Sequence, residues 1–167
     1  MEYSLSDSDL KRLIPNVNII KYNDLANYNN IDELLQGKPT IILFELTENN
    51  NGHWISIFKN NNTIYFFDSY GIKIEDQKKY MNKQFFRKIN YLSKMLKDSP
   101  YKVDYNANKY QEMSDNISTC GRHCVVRLKC QDLNDEEYKD IITDACNESG
   151  LNPDELVVEL TQDILGK

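Results

Sequence analysis

Two β-rich runs joined by three asparagines constrain this chain more than any other feature. His53-Trp54-Ile55-Ser56-Ile57-Phe58 and Thr63-Ile64-Tyr65-Phe66-Phe67-Asp68 stand on either side of Asn60-Asn61-Asn62. β-branched and aromatic residues suit a pleated surface, and a short Asn-rich turn between two such runs is a hairpin signal. If Asn61-Asn62 is a two-residue loop, Asn60 faces Thr63 and Ile55 faces Asp68, so His53 and Asp68 share a face as diagonal neighbours. Their Cβ atoms then lie within about 8 Å, near enough for a carboxylate to orient an imidazole. A loop longer by one residue sends Asp68 to the opposite face. The register therefore decides chemistry as well as fold.

The rest of the chain supplies elements around that hairpin. Thr40-Ile41-Ile42-Leu43-Phe44-Glu45-Leu46 is a β-branched apolar run and reads as a buried strand at the centre of a sheet. Upstream, Ser6 or Ser8 caps a helix carrying Leu10, Leu13 and Ile14, which Pro15 ends, and a short helix runs from Ile31 to Leu35 behind Asn30. Downstream, Phe85, Ile89, Leu92 and Leu96 recur at helical spacing and predict one helix from Asp76 to Lys97, stopped by Ser99-Pro100. Tyr101 to Tyr105 alternates weakly and suits an edge strand. A helix follows over Thr119 to Leu128 with Cys124, Val125 and Leu128 on its apolar side. Another is expected around Ile141, Ile142 and Ala145, and a last one behind Asn152-Pro153, continued by Leu156, Val157, Leu160 and Ile164.

At 167 residues the chain suits a single domain, 1–167, with a core of its own. Its 28% charged and 40% hydrophobic residues are those of a soluble globular protein, and no apolar run approaches the roughly 20 residues that cross a bilayer. Met1-Glu2-Tyr3-Ser4-Leu5-Ser6-Asp7 has neither the basic nor the apolar region of a secretory signal, so secretion and membrane attachment are not expected. Four cysteines without a signal peptide suit a reducing compartment and read as thiols. A net charge of −6 argues against holding nucleic acid through its phosphates, and the lysines between Lys78 and Lys97 read as a solvated helix face.

Chemistry concentrates at Ser118-Thr119-Cys120-Gly121-Arg122-His123-Cys124. Cys120 stands at a helix start, where unpaired N–H groups and the macrodipole favour thiolate over thiol. A nucleophilic cysteine needs a base, a group to orient that base, and donors for an oxyanion. The chain has two histidines. His123 lies a turn from Cys120 on the same helix and points alongside it, whereas His53 opens a strand at a sheet end, which makes it the preferred base.

The order Gly52-His53-Trp54, then Phe67-Asp68-Ser69-Tyr70-Gly71, then Gln111, then Ser118-Thr119-Cys120-Gly121 resembles the adenain family of viral maturation proteases and the related SUMO and ubiquitin-like-protein proteases. The resemblance spans about Thr40 to Leu128, and the Phe-Asp-Ser-Tyr-Gly segment looks most like the viral members. It implies an α+β fold of the papain-like cysteine protease superfamily, with a central mixed β-sheet flanked by helices. It also implies a cysteine endopeptidase with Cys120 as nucleophile, His53 as base, Asp68 as orienting carboxylate and Gln111 as oxyanion donor, with Gln84, Gln77 and Asn116 as substitutes for the last. Trp54 and Gly121 then help to shape the substrate site, although a core aromatic is an equal reading of Trp54.

The partner so implied is a protein substrate, a viral capsid or core precursor cut at Gly-rich sites, met by a monomer in the virion or the host cytoplasm. Adenain uses a disulfide-linked peptide and DNA as activators. This chain is acidic and has no cysteine between His53 and Cys120, so neither is expected, nor any other cofactor or metal. A deconjugating enzyme for a ubiquitin-like protein shares the chemistry and is the alternative. More distant is an interaction module binding metal through Cys120, His123, Cys124 and Cys130, which lack the paired spacing of structural zinc sites.

Overall fold

In a computed structural model describing residues 4–47, 51–113 and 118–165, the hairpin is formed by β3 (Asn51–Asn60) and β4 (Thr63–Phe67). Asn60 pairs with Thr63 and Ser56 with Phe67, the register of a two-residue loop. Asn61 takes φ 56°, a left-handed conformation that asparagine tolerates better than most residues.

Three further strands complete a five-stranded mixed sheet in the order β1-β2-β3-β4-β5. β2 (Thr40–Thr47) pairs antiparallel with β3. At the edges, β1 (Asn18–Lys21) and β5 (Lys102–Tyr105) run parallel to β2 and β4 respectively. β1 was not foreseen, since four residues behind Pro15 carry too little pattern to stand out. Helices flank the sheet: α1 (Asp7–Leu13), α2 (Ile31–Leu35), α3 (Tyr91–Lys97), α4 (Cys120–Lys129), α5 (Asp135–Ser149) and α6 (Pro153–Leu165).

The helices begin where local chemistry starts them. Ser6 rather than Ser8 caps α1, in a box with Asp9, and Asn30 caps α2 by accepting from the Glu33 N–H. Asn134 with Glu137 and Asn152 with Glu155 form the same reciprocal pair at α5 and α6.

The helix expected from Asp76 to Lys97 is broken. A 3₁₀ turn spans Asp76–Tyr80, irregular chain follows, and only Tyr91–Lys97 is α-helical. Lys78 explains much of this. It is buried, contrary to a solvated face, and its Nζ donates to the Ile89 carbonyl and to Asn90 Oδ1 at 3.1 and 2.8 Å. Those bonds fold the segment back on itself, and Phe85 still packs on the core, although no helix carries it there.

Alternation along β3 divides the core. Ile55 and Ile57 face Tyr22, Leu25, Leu34, Leu92 and Leu96. Trp54 and Phe58 face Leu10 and Leu13 of α1 and Cys124, Val125 and Leu128 of α4. A third cluster joins Phe67 and Val126 to Tyr138 and Ile142 of α5 and Leu156 and Val157 of α6. Burying each such side chain contributes about 1.5–3 kcal/mol. α4 is therefore covered by the sheet on one side and by α5 and α6 on the other, which buries even Arg122, His123 and Arg127. Thr161, not Leu160, turns inward on α6, and half of Leu160 is exposed.

Candidate functional site

His53 follows a glycine that the sheet requires. A β-bulge between Glu45 and Thr47 brings β2 so close that a Cβ on Gly52 would lie 2.1 Å from the Phe44 carbonyl oxygen. No side chain fits there, and the kink directs the next residue, His53, at the end of the paired strand.

The hairpin register brings Asp68 to it. His53 Nε2 lies 2.9 Å from Asp68 Oδ1, and both side chains are buried. Asp68 is fixed from several directions. Its Oδ1 also accepts the Tyr70 N–H, and Oδ2 accepts from Gln77 Nε2 at 2.7 Å. Its backbone is gripped by Asn106, whose Oδ1 accepts the Asp68 N–H while its Nδ2 donates to the Asp68 carbonyl. The turn closes with the Gly71 N–H on the same carbonyl, and Gly71 has φ 70° with the 107–108 backbone packed where a Cβ would go. That turn is the physical content of Asp-Ser-Tyr-Gly.

Cys120 comes from the other side of β3. α4 runs along the strand, with Cys124 Sγ 3.4 Å from the Trp54 carbonyl and Arg127 over the Phe58 ring, so its first residue meets the His53 end. Burial opposes an imidazolium at His53. Hydrogen bonds to Asp68 and to Cys120, together with their charges, outweigh it and push His53 up to about 10. With Nε2 on Asp68, the other ring nitrogen, Nδ1, is the one left for the thiol. Tyr70 stacks on the imidazole at 4.9 Å and 14°, and Tyr80 lies against both rings. Burial, then the nearby Cys120, pushes the Tyr70 phenol up to about 12, so it stays protonated.

Gln111 is buried beside the Asp68 turn. Its N–H donates to the Ser69 carbonyl, and the Ser69 hydroxyl donates to its Oε1 at 2.6 Å, which fixes the end of the amide that accepts. Of the substitutes, Gln77 is committed to Asp68 and to the Ile72 carbonyl. Gln84 is exposed, and Asn116 lies outside the described residues. Trp54 is a core residue, packed under α4. Gly121 is buried over it, where an added Cβ would touch Leu5, Trp54 and Leu10 at ordinary distances. Both therefore belong to the packing between β3 and α4.

The second histidine is paired elsewhere. His123 Nε2 lies 2.8 Å from Asp154 Oδ1, and burial, outweighing that carboxylate, holds its pKa below the usual value. Cys124 is sealed, and burial pushes its thiol well up. His123 and Cys124 thus point to different partners, and among the described residues no group of three His, Cys, Asp or Glu side chains is gathered to hold a metal. All four cysteines carry free thiols. Also among the described residues, no helix is long and apolar enough to cross a membrane.

Sequence reasoning singled out Cys120, His53 and Asp68, and the fold gathers them. It passed over Tyr70, Tyr80, Asn106 and Asp154, and it weighed Gln77 as a substitute oxyanion donor, not as the partner of Asp68. Only Tyr70 carried a signal, being inside the Asp-Ser-Tyr-Gly turn.

Fold and site together define an α+β protein with helices flanking a mixed five-stranded sheet and a buried His–carboxylate pair facing a cysteine at a helix start. No protein-family model matches the chain. It is 36% identical over 165 residues, 95% of its length and 94% of the relative's, to "Uncharacterized protein V9" of Sputnik virophage. The chain belongs to the same family as that virophage protein.

Proposed function

We propose that this protein is a cysteine endopeptidase of the adenain-like, papain-like superfamily, working as a monomer on viral structural precursors at Gly-rich sites. One observation carries the reading: His53 is hydrogen-bonded at one ring nitrogen to buried Asp68, with Cys120, the first residue of α4, near enough to raise its basicity further. A base poised between a carboxylate and a thiol at a helix N-terminus is what thiol acyl transfer needs.

In that reaction the Cys120 thiolate attacks the scissile carbonyl while His53 holds the proton. The tetrahedral oxyanion is met by the Cys120 N–H and the Gln111 amide, where one donor is typically worth about 10²–10³ in rate. His53 then gives its proton to the leaving amine. Water, activated by the same imidazole, cleaves the thioester. Asp68 keeps the ring oriented and stabilises its charged form throughout. The virophage relative supports a viral source, and action in the virion or host cytoplasm is part of the same proposal.

The test is labelling by an electrophilic Gly-Gly probe. Wild type and Cys124→Ala should label, Cys120→Ala should not, and labelling that survives loss of Cys120 overturns the assignment. Incubation with capsid precursors and with ubiquitin-like fusions then separates maturation from deconjugation, since cleavage of only the fusions would reject the former.

A further inference from the structure

Outside the proposed triad, one carboxylate touches both segments that frame Cys120. Asp154 stands in the first turn of α6, nearly buried. Its Oδ1 accepts from Thr119 Oγ1 at 2.6 Å and from His123 Nε2 at 2.8 Å, and its Oδ2 accepts from the Glu112 N–H at 3.0 Å. Thr119 immediately precedes Cys120, and Glu112 immediately follows Gln111. A single side chain from a third element therefore ties together the two ends of the intervening loop.

The rest of the geometry makes this tie rigid. Thr119 sits at the cap position of α4, yet its hydroxyl makes no capping bond because it is given to Asp154. Leu156 and Val157 pack with Val126 of α4, and Arg122 Nη1 donates to Thr161 Oγ1 at 2.6 Å, so α6 cannot slide along α4 without losing buried contacts. Gln111 is held from its other side by Ser69. Burial would raise the Asp154 pKa, but its hydrogen bonds to His123, Thr119 and the Glu112 N–H outweigh that and keep it a carboxylate.

We propose that Asp154 is a positioning residue for acyl transfer: it fixes the separation between the Cys120 nucleophile and the Gln111 segment, so that donors from both meet the oxyanion. The inference rests on the acyl-transfer reading of Cys120. It has a specific consequence. In acyl transfer the sulfur–carbon bond forms as the carbonyl π pair moves onto oxygen, and the pair returns as the amine leaves with the His53 proton. That oxygen needs both donors. Displacement of iodide from iodoacetamide by the same thiolate creates no oxyanion and needs neither.

The experiment compares the two reactions in the full chain, following acylation with a Gly-Gly aryl ester and alkylation of Cys120 with iodoacetamide by mass spectrometry. Asp154→Asn replaces one accepting oxygen by a donor and should slow acylation by at least about tenfold while alkylation stays within about twofold. Thr119→Val should show the same split if Asp154→Asn fails to fold, and Thr119→Ser, which keeps the hydroxyl, should restore the rate. Equal losses in both reactions, or no loss in acylation, overturn the positioning role alone. A wild-type chain that accepts no acyl group overturns the protease reading and this inference with it.

Discussion

At the scale of single residues, Gly52 sets the clearest condition on the site. A Cβ there meets backbone, not a movable side chain, so Gly52→Ala must open the β2–β3 pairing beside His53. The expected cost is about 3 kcal/mol, comparable with severe overpacking, and urea unfolding measures it. Gly121→Ala, whose new methyl makes only ordinary contacts, should cost less than about 1 kcal/mol and serves as the control. The residues whose placement was legible beforehand are those whose neighbours are set locally. A two-residue turn was enough to align His53 with Asp68, and a helix-start pattern was enough to place Cys120 at the first residue of α4. Gln77, Asn106 and Asp154 were not legible, because each reaches the site through a fold that no local pattern specifies. Asp154 stands in a first helical turn, where acids are common for reasons unrelated to a site.

Among the elements, the strands other than β1 and the capped helices were read well, and the middle of the chain was not. The apolar run at Thr40 and the paired hairpin runs became β2, β3 and β4, while the helical spacing of Phe85, Ile89, Leu92 and Leu96 produced a helix only at its end. Periodicity gave way to the buried bonds of Lys78. The turn that holds the hairpin makes its own prediction. Asn61 has φ 56°, where glycine is at ease and a β-branched residue is strained. Asn61→Val should therefore lower stability by about 1–2 kcal/mol, and Asn61→Gly should leave it unchanged or slightly higher. Thermal melts of the two variants against wild type check this. A strained turn should also weaken the His53–Asp68 alignment, so probe labelling of Cys120 should fall in Asn61→Val.

For the molecule as a whole, the two histidines pull stability in opposite directions with pH. His53 is raised to about 10 in the fold against about 6.5 when unfolded, so the native state binds its proton more tightly. Its contribution is fully present below pH 6.5 and is lost as the pH rises from there through about 10. His123 is lowered, because burial outweighs Asp154, so its contribution is present above pH 6.5 and is lost as the pH falls through its folded value. His53 lies against the start of α4 and His123 within it, and the sheet, α5 and α6 enclose that helix, so each loss is felt by the whole fold. Urea midpoints measured across pH should decline on both sides of neutrality. His53→Gln should flatten the alkaline decline and leave the acid one, and His123→Gln should do the reverse. An alkaline decline unchanged in His53→Gln would mean that the proton on the imidazole is not held by Asp68 and Cys120.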